Sequence, residues 1–105
     1  MILAHIIVRD DEQAMEIVHL LMDQSLLFSA GISVKKIFEK NELSGILESK
    51  KQTLIIGKTK SLLFHTINEV LKSKYSSNMP MLYAIPIVYM DEEQSTLLRE
   101  NTAKV

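Results

Sequence analysis

Apolar runs and amphipathic stretches alternate along this chain. Ile2 to Val8 is apolar throughout, with Leu3, His5 and Ile7 facing one way and Ile2, Ala4, Ile6 and Val8 the other. That reads as a first strand. Asp10-Asp11-Glu12-Gln13 is a helix start, with an Asp cap, an acidic first turn and a Gln three residues on. Ala14, Ile17, Val18, Leu21 and Met22 then recur at helical spacing to about Gln24. A second strand is expected from Ser29 to Phe38. Ile32 and Val34 share a face there and Ile37 does not, which predicts a bulge near Lys35-Lys36. Glu39 to Ser44 reads as the polar turn of a hairpin.

The third strand starts near Gly45. Its first half, Leu47 to Gln52, is polar and is expected to project from the body; its second half, Thr53 to Thr59, is apolar on consecutive residues. Such runs belong to strands covered on both faces. Ser61 to Ser73 is amphipathic, with Leu63, Ile67, Val70 and Leu71 on one side and Phe64 beside them. A fourth strand follows within Met81 to Tyr89. Pro86 stands in its middle and cannot donate to a ladder, so this strand is expected at an edge. A last helix, about Glu92 to Asn101, starts at Asp91 with Gln94 three residues on; Leu97 and Leu98 anchor it, and the final residues are expected to be loose.

The order is β-α-β-β-α-β with a short C-terminal helix: one α+β, ferredoxin-like sandwich domain over residues 1–105. Right-handed crossovers place both main helices on one sheet face. The other face is apolar too. Leaving about six large side chains in water there would forgo on the order of 10 kcal/mol, which rivals the net stability of a domain. The pattern therefore predicts that further copies of the chain cover this face.

Composition narrows the function classes. Twelve Lys and Arg oppose 13 Asp and Glu, so no basic footprint for nucleic acid or an anionic membrane exists. There is no cysteine, which excludes disulfides, thiolate metal sites and a cysteine nucleophile. Met1 to Val8 lacks a basic lead-in and runs into Arg9-Asp10-Asp11, so it reads as a strand and not a signal peptide. A cytoplasmic protein is expected. No Ser/His/Asp order, acidic dyad or HExxH pattern argues for an enzyme. His5, His19 and His65 are isolated, without a second ligand at metal spacing. Met79 and Met81 flank Pro80, and two thioethers suit Cu(I), although methionine also fills gaps at a strand start. Lys58-Thr59-Lys60 before Ser61 puts cations and a hydroxyl at a helix start, a place that can hold an anion.

Some residues also carry a family likeness. A strand ends in Lys58-Thr59, and Pro80 and Pro86 frame Pro80-Met81-Leu82-Tyr83-Ala84-Ile85-Pro86-Ile87. With the spacings from Ser29 to Thr59 and from Lys58 to Pro80, the chain resembles the CutA divalent-cation tolerance proteins, cousins in fold of the PII signalling proteins. The resemblance implies a trimer, a role in metal-ion response and a small-ligand cleft between chains near Lys58 and the fourth strand, where Tyr83 lies. Lys58, Thr59, Lys60 and Tyr83 are thus the expected binding set, for a small anion or a metal ion, a divalent cation or copper. The family's cysteine is replaced at Ser29 or its neighbour, its aromatic stretch is reduced to Ile37-Phe38, and Met81 stands where the family has Glu. A PII-like sensing module and a structural trimer that docks a partner are the alternative readings.

Overall fold

The structure is a computed structural model and describes residues 1–104. Four strands form one antiparallel sheet: β1 (Ile2–Val8), β2 (Ser29–Lys40), β3 (Leu47–Thr59) and β4 (Met81–Pro86), in the spatial order β2-β3-β1-β4. Helix α1 (Asp11–Asp23) links β1 to β2, α2 (Phe64–Lys74) links β3 to β4, and α3 (Glu92–Glu100) ends the chain. β3 and β4 both pair antiparallel with β1, so they run parallel to each other with β1 between them. This is the expected split βαβ, and β4 lies at an edge as Pro86 requires.

Each helix start follows its sequence. Asp10 caps α1 by accepting from the Gln13 amide at 2.9 Å, and Asp91 caps α3 by accepting from the Gln94 amide at 3.2 Å. Gln13 does not close a capping box on Asp10. Its Oε1 accepts from the Arg9 amide at 2.8 Å, one residue further out. α1 ends on Ser25, whose φ is 55°. The Leu26 amide reaches back to Leu21 O and the Ser25 amide to Met22 O, a Schellman closure.

The core lies between the helices and one sheet face. Ala4, Ile6 and Val8 of β1 meet Ile17 and Leu21 of α1 and Ile67 and Leu71 of α2, all buried. Leu26 and Leu27 fold down beside them. Leu27 lies over Gly57, where a Cβ would stand 2.7 Å from its Cδ2. A side chain at residue 57 would force Leu27 to shift.

Five expectations need correction. β2 and β3 pair without a skip from Ser29↔Lys58 to Lys40↔Leu47, so there is no bulge at Lys35-Lys36. The alternation breaks there because the outer hairpin leaves the body, and neither of its faces has a core to serve. The hairpin turn lies later than Glu39 to Ser44. Asn41 Oδ1 accepts from the amides of Leu43 and Ser44, and Gly45 takes a φ of 70°. β4 stops at Pro86 instead of running to Tyr89; Val88 and Tyr89 are exposed. Thr102 and Ala103 are docked, not loose, and Val105 lies outside the described residues. Ala103 N donates to Ser25 O at 2.7 Å, and the Lys60 ammonium donates to Ala103 O at 2.8 Å. Leu98 is fully buried, whereas Leu97 is half-exposed, so one leucine and not two anchors α3. The polar half of β3 projects as expected, and the molecule measures 50 × 30 × 20 Å.

Candidate functional site

Strand alternation decides what the helix-free face of the sheet carries. Leu3, His5 and Ile7 of β1 stand on it. Their register partners are Lys58, Ile56 and Leu54 on β3 and Ile85, Tyr83 and Met81 on β4. Met81, Tyr83 and Ile85 are exposed to 62%, 41% and 43%, so an edge strand of large apolar side chains meets water in the single chain. The apolar run does not make β4 covered on both faces, since Met81, Tyr83 and Ile85 stay exposed among the described residues. His5 packs its ring on Tyr83 at 5.1 Å between centroids, tilted by 41°. Its Nδ1 is buried and has no hydrogen-bond partner among the described residues.

The four expected binding residues split between the two faces. Lys58 and Tyr83 share the open face, on opposite sides of β1. Thr59 points the other way and is fully buried; its hydroxyl donates to Leu26 O at 2.6 Å. Lys60 bends back to the C-terminal segment, its ammonium donating to the carbonyls of Thr102 and Ala103. The helix beyond opens as a 3₁₀ turn, Ser61–Leu63, with Lys60 at the capping position and no side-chain cap. The hydroxyl and the second cation of the expected anion site are therefore engaged within the chain. Alternation along a strand could have shown this, since adjacent residues cannot serve one face.

The methionine pair is also divided. Met79 is half-buried against the core and Met81 lies out on the open face. Both line a hollow that Arg9 and Lys50 line as well. Two cations beside the thioethers oppose a bound Cu(I) ion by like-charge repulsion. Among the described residues, no group of three or more His, Asp or Glu side chains could hold a metal ion. No helix is long and apolar enough to cross a membrane, among the described residues.

One polar cluster is built with care. The Tyr75 hydroxyl donates to Glu16 Oε1, and the Lys74 ammonium stands 3.4 Å from the same oxygen. Burial first, then the bond to Glu16, pushes the Tyr75 phenol up to about 12. The Tyr75 bond, with Lys74 behind it, holds the Glu16 carboxyl below its ordinary value. This cluster ties α1 to the end of α2 and faces no cleft with a second reactive group.

No family model matches the chain, and no curated protein sequence matches it. Solved structures do. CutA1 from Pyrococcus horikoshii is similar at a TM-score of 0.84 and 25% identity, over 99% of this chain and 100% of that one. The divalent cation tolerance protein Cut A1 from Thermus thermophilus gives 0.78 and 26%, over 98% and 100%. CutA from Archaeoglobus fulgidus, described as a periplasmic divalent cation tolerance protein, gives 0.80 and 26%, over 96% and 98%. The family likeness read from Lys58-Thr59 and the two prolines thus extends to nearly the whole chain.

Proposed function

We propose that this chain serves in divalent-cation tolerance as a non-catalytic, cytoplasmic homotrimer whose open sheet face is its self-association surface. The observation that carries this reading is the combination of whole-chain likeness to divalent cation tolerance proteins with the uncovered row Met81, Tyr83 and Ile85. Apolar side chains of that size contribute about 1.5–3 kcal/mol each when removed from water. Covering them with copies of the same chain is the low-cost solution, since every copy carries the same need.

Since no group of three ligands gathers among the described residues of one chain, an ion that the protein takes is held between copies, with one donor from each. Titration of Zn(II) and of Cu(II) by calorimetry tests this. One ion for every three chains is expected. One ion per chain would contradict shared donors, and no binding of either metal would remove a direct role in holding cations. Cell fractionation with an antibody decides between the cytoplasm and the periplasm named for the Archaeoglobus protein. A structural trimer that docks a partner is the second reading. It is favoured by the outer hairpin, Leu47 to Lys51, which is exposed throughout and contributes nothing to the core.

A further inference from the structure

β1 stops at Val8, opposite Thr53, while β3 continues to Leu47 with only β2 beside it. The missing length of β1 leaves a notch at the root of the hairpin. It is a hollow of about 490 Å³, within the range of small-molecule sites. Its polar lining is Arg9, Gln13, Lys50, Gln52 and Asn78, and Ile7 and Met81 are among its apolar walls. No carboxylate lines it.

We propose that this notch binds the phosphate group of a small phosphorylated compound, which goes beyond the function proposed above. Arg9 closes one side. Its backbone amide is pinned by Gln13 Oε1 at 2.8 Å, which fixes where the guanidinium starts. Only its Nε has a partner among the described residues, Asp10 Oδ2 at 3.1 Å, so both Nη groups are left to fork onto an anion. Lys50 closes the other side. It pairs with Glu39 at 3.4 Å, with both side chains more than half exposed. Exposed pairs of this kind are weak and exchange readily with an incoming anion.

The amides complete the set. The side-chain amides of Gln52 and Asn78 line the hollow, and each can donate to a phosphate oxygen. Asn78 itself is held in place, its backbone amide donating to Tyr75 O at 3.0 Å. The two Nη groups of Arg9, the Lys50 ammonium once it leaves Glu39, and the two amides match an anion that outcompetes the nearby carboxylates of Asp10 and Glu39, and Ile7 offers an apolar wall to the rest of the molecule. The anion expected at Lys58 to Ser61 thus finds a better-built place at the far end of the same strand.

Isothermal titration of inorganic pyrophosphate into the protein at low salt tests this, with sulfate as the control anion. Saturable pyrophosphate binding is expected, with sulfate much weaker. Arg9→Gln and Lys50→Gln are each expected to weaken binding about tenfold or more, while Lys72→Gln, an equal charge change on α2, leaves it unchanged. No saturable binding of pyrophosphate would overturn the proposal, as would an equal loss in Lys72→Gln. Lys50 lies on the exposed hairpin, so Lys50→Gln carries the test even where Arg9→Gln perturbs the start of α1.

Discussion

Ser25 holds a left-handed backbone that L side chains adopt at a cost, with φ at 55°. Replacing it with glycine removes that cost and keeps the Schellman bonds. Ser25→Gly is expected to stabilise the chain by about 0.5–1 kcal/mol, read as a higher denaturant midpoint. Gly57→Ala has the opposite sign. Its new Cβ would meet Leu27 at 2.7 Å, and Leu27 is too deeply buried to swing away. A loss of about 1–3 kcal/mol is expected for such overpacking. Tyr75 predicts a pH effect. Its folded value of about 12 stands above its ordinary 10, so the folded state keeps the proton after the unfolded chain has lost it. The resulting stability is fully present below pH 10 and is lost as pH rises from 10 to 12. Tyr75→Phe should flatten that part of the urea-midpoint profile relative to the parent. Tyr75 is partly solvated, and the difference is on the order of 1 kcal/mol or less. The caps Asp10 and Asp91 were legible in the sequence because their partners lie three residues away. Ser25 and the buried Thr59 hydroxyl were not, because their conformation and partners are set by segments that meet only in the fold.

Among the elements, the hairpin of β2 and β3 and the helix α3 respond differently to change. Thr53 to Ile55 is buried while Leu47 to Lys51 is exposed. Hydrogen exchange should therefore find slow amides in the inner half of β3 and fast ones in the outer half. Uniform protection along the strand in the single chain would contradict this division. In α3, Leu98 is fully buried and Leu97 is not. Leu98→Ala is expected to cost about 2–5 kcal/mol, and Leu97→Ala no more than about 0.5 kcal/mol. The strand and helix order was readable because apolar runs and capping residues are local signals. The bulge was misread at Ile37 because alternation carries information only where a core lies on one side. The end of β4 was misplaced because Val88 and Tyr89 look like strand residues, although Pro86 ends the ladder before them.

For the whole molecule, the same property that shaped the sequence reading shapes the site. The sheet has one face covered by its own helices and one on which Leu3 and Ile7 are partly buried and Met81, Tyr83 and Ile85 are exposed. The binding set drawn from the family likeness divided because Thr59 and Lys60 serve the fold, leaving Lys58 and Tyr83 on the open face. The notch beyond Val8 was not legible, since it arises from unequal strand lengths and not from any motif. The self-assembly claim is tested most directly by mass in dilute solution, from light scattering behind a sizing column at micromolar concentration. A particle of three times the 12.0 kDa of one chain is expected. A well-folded single chain that persists at that concentration would contradict it.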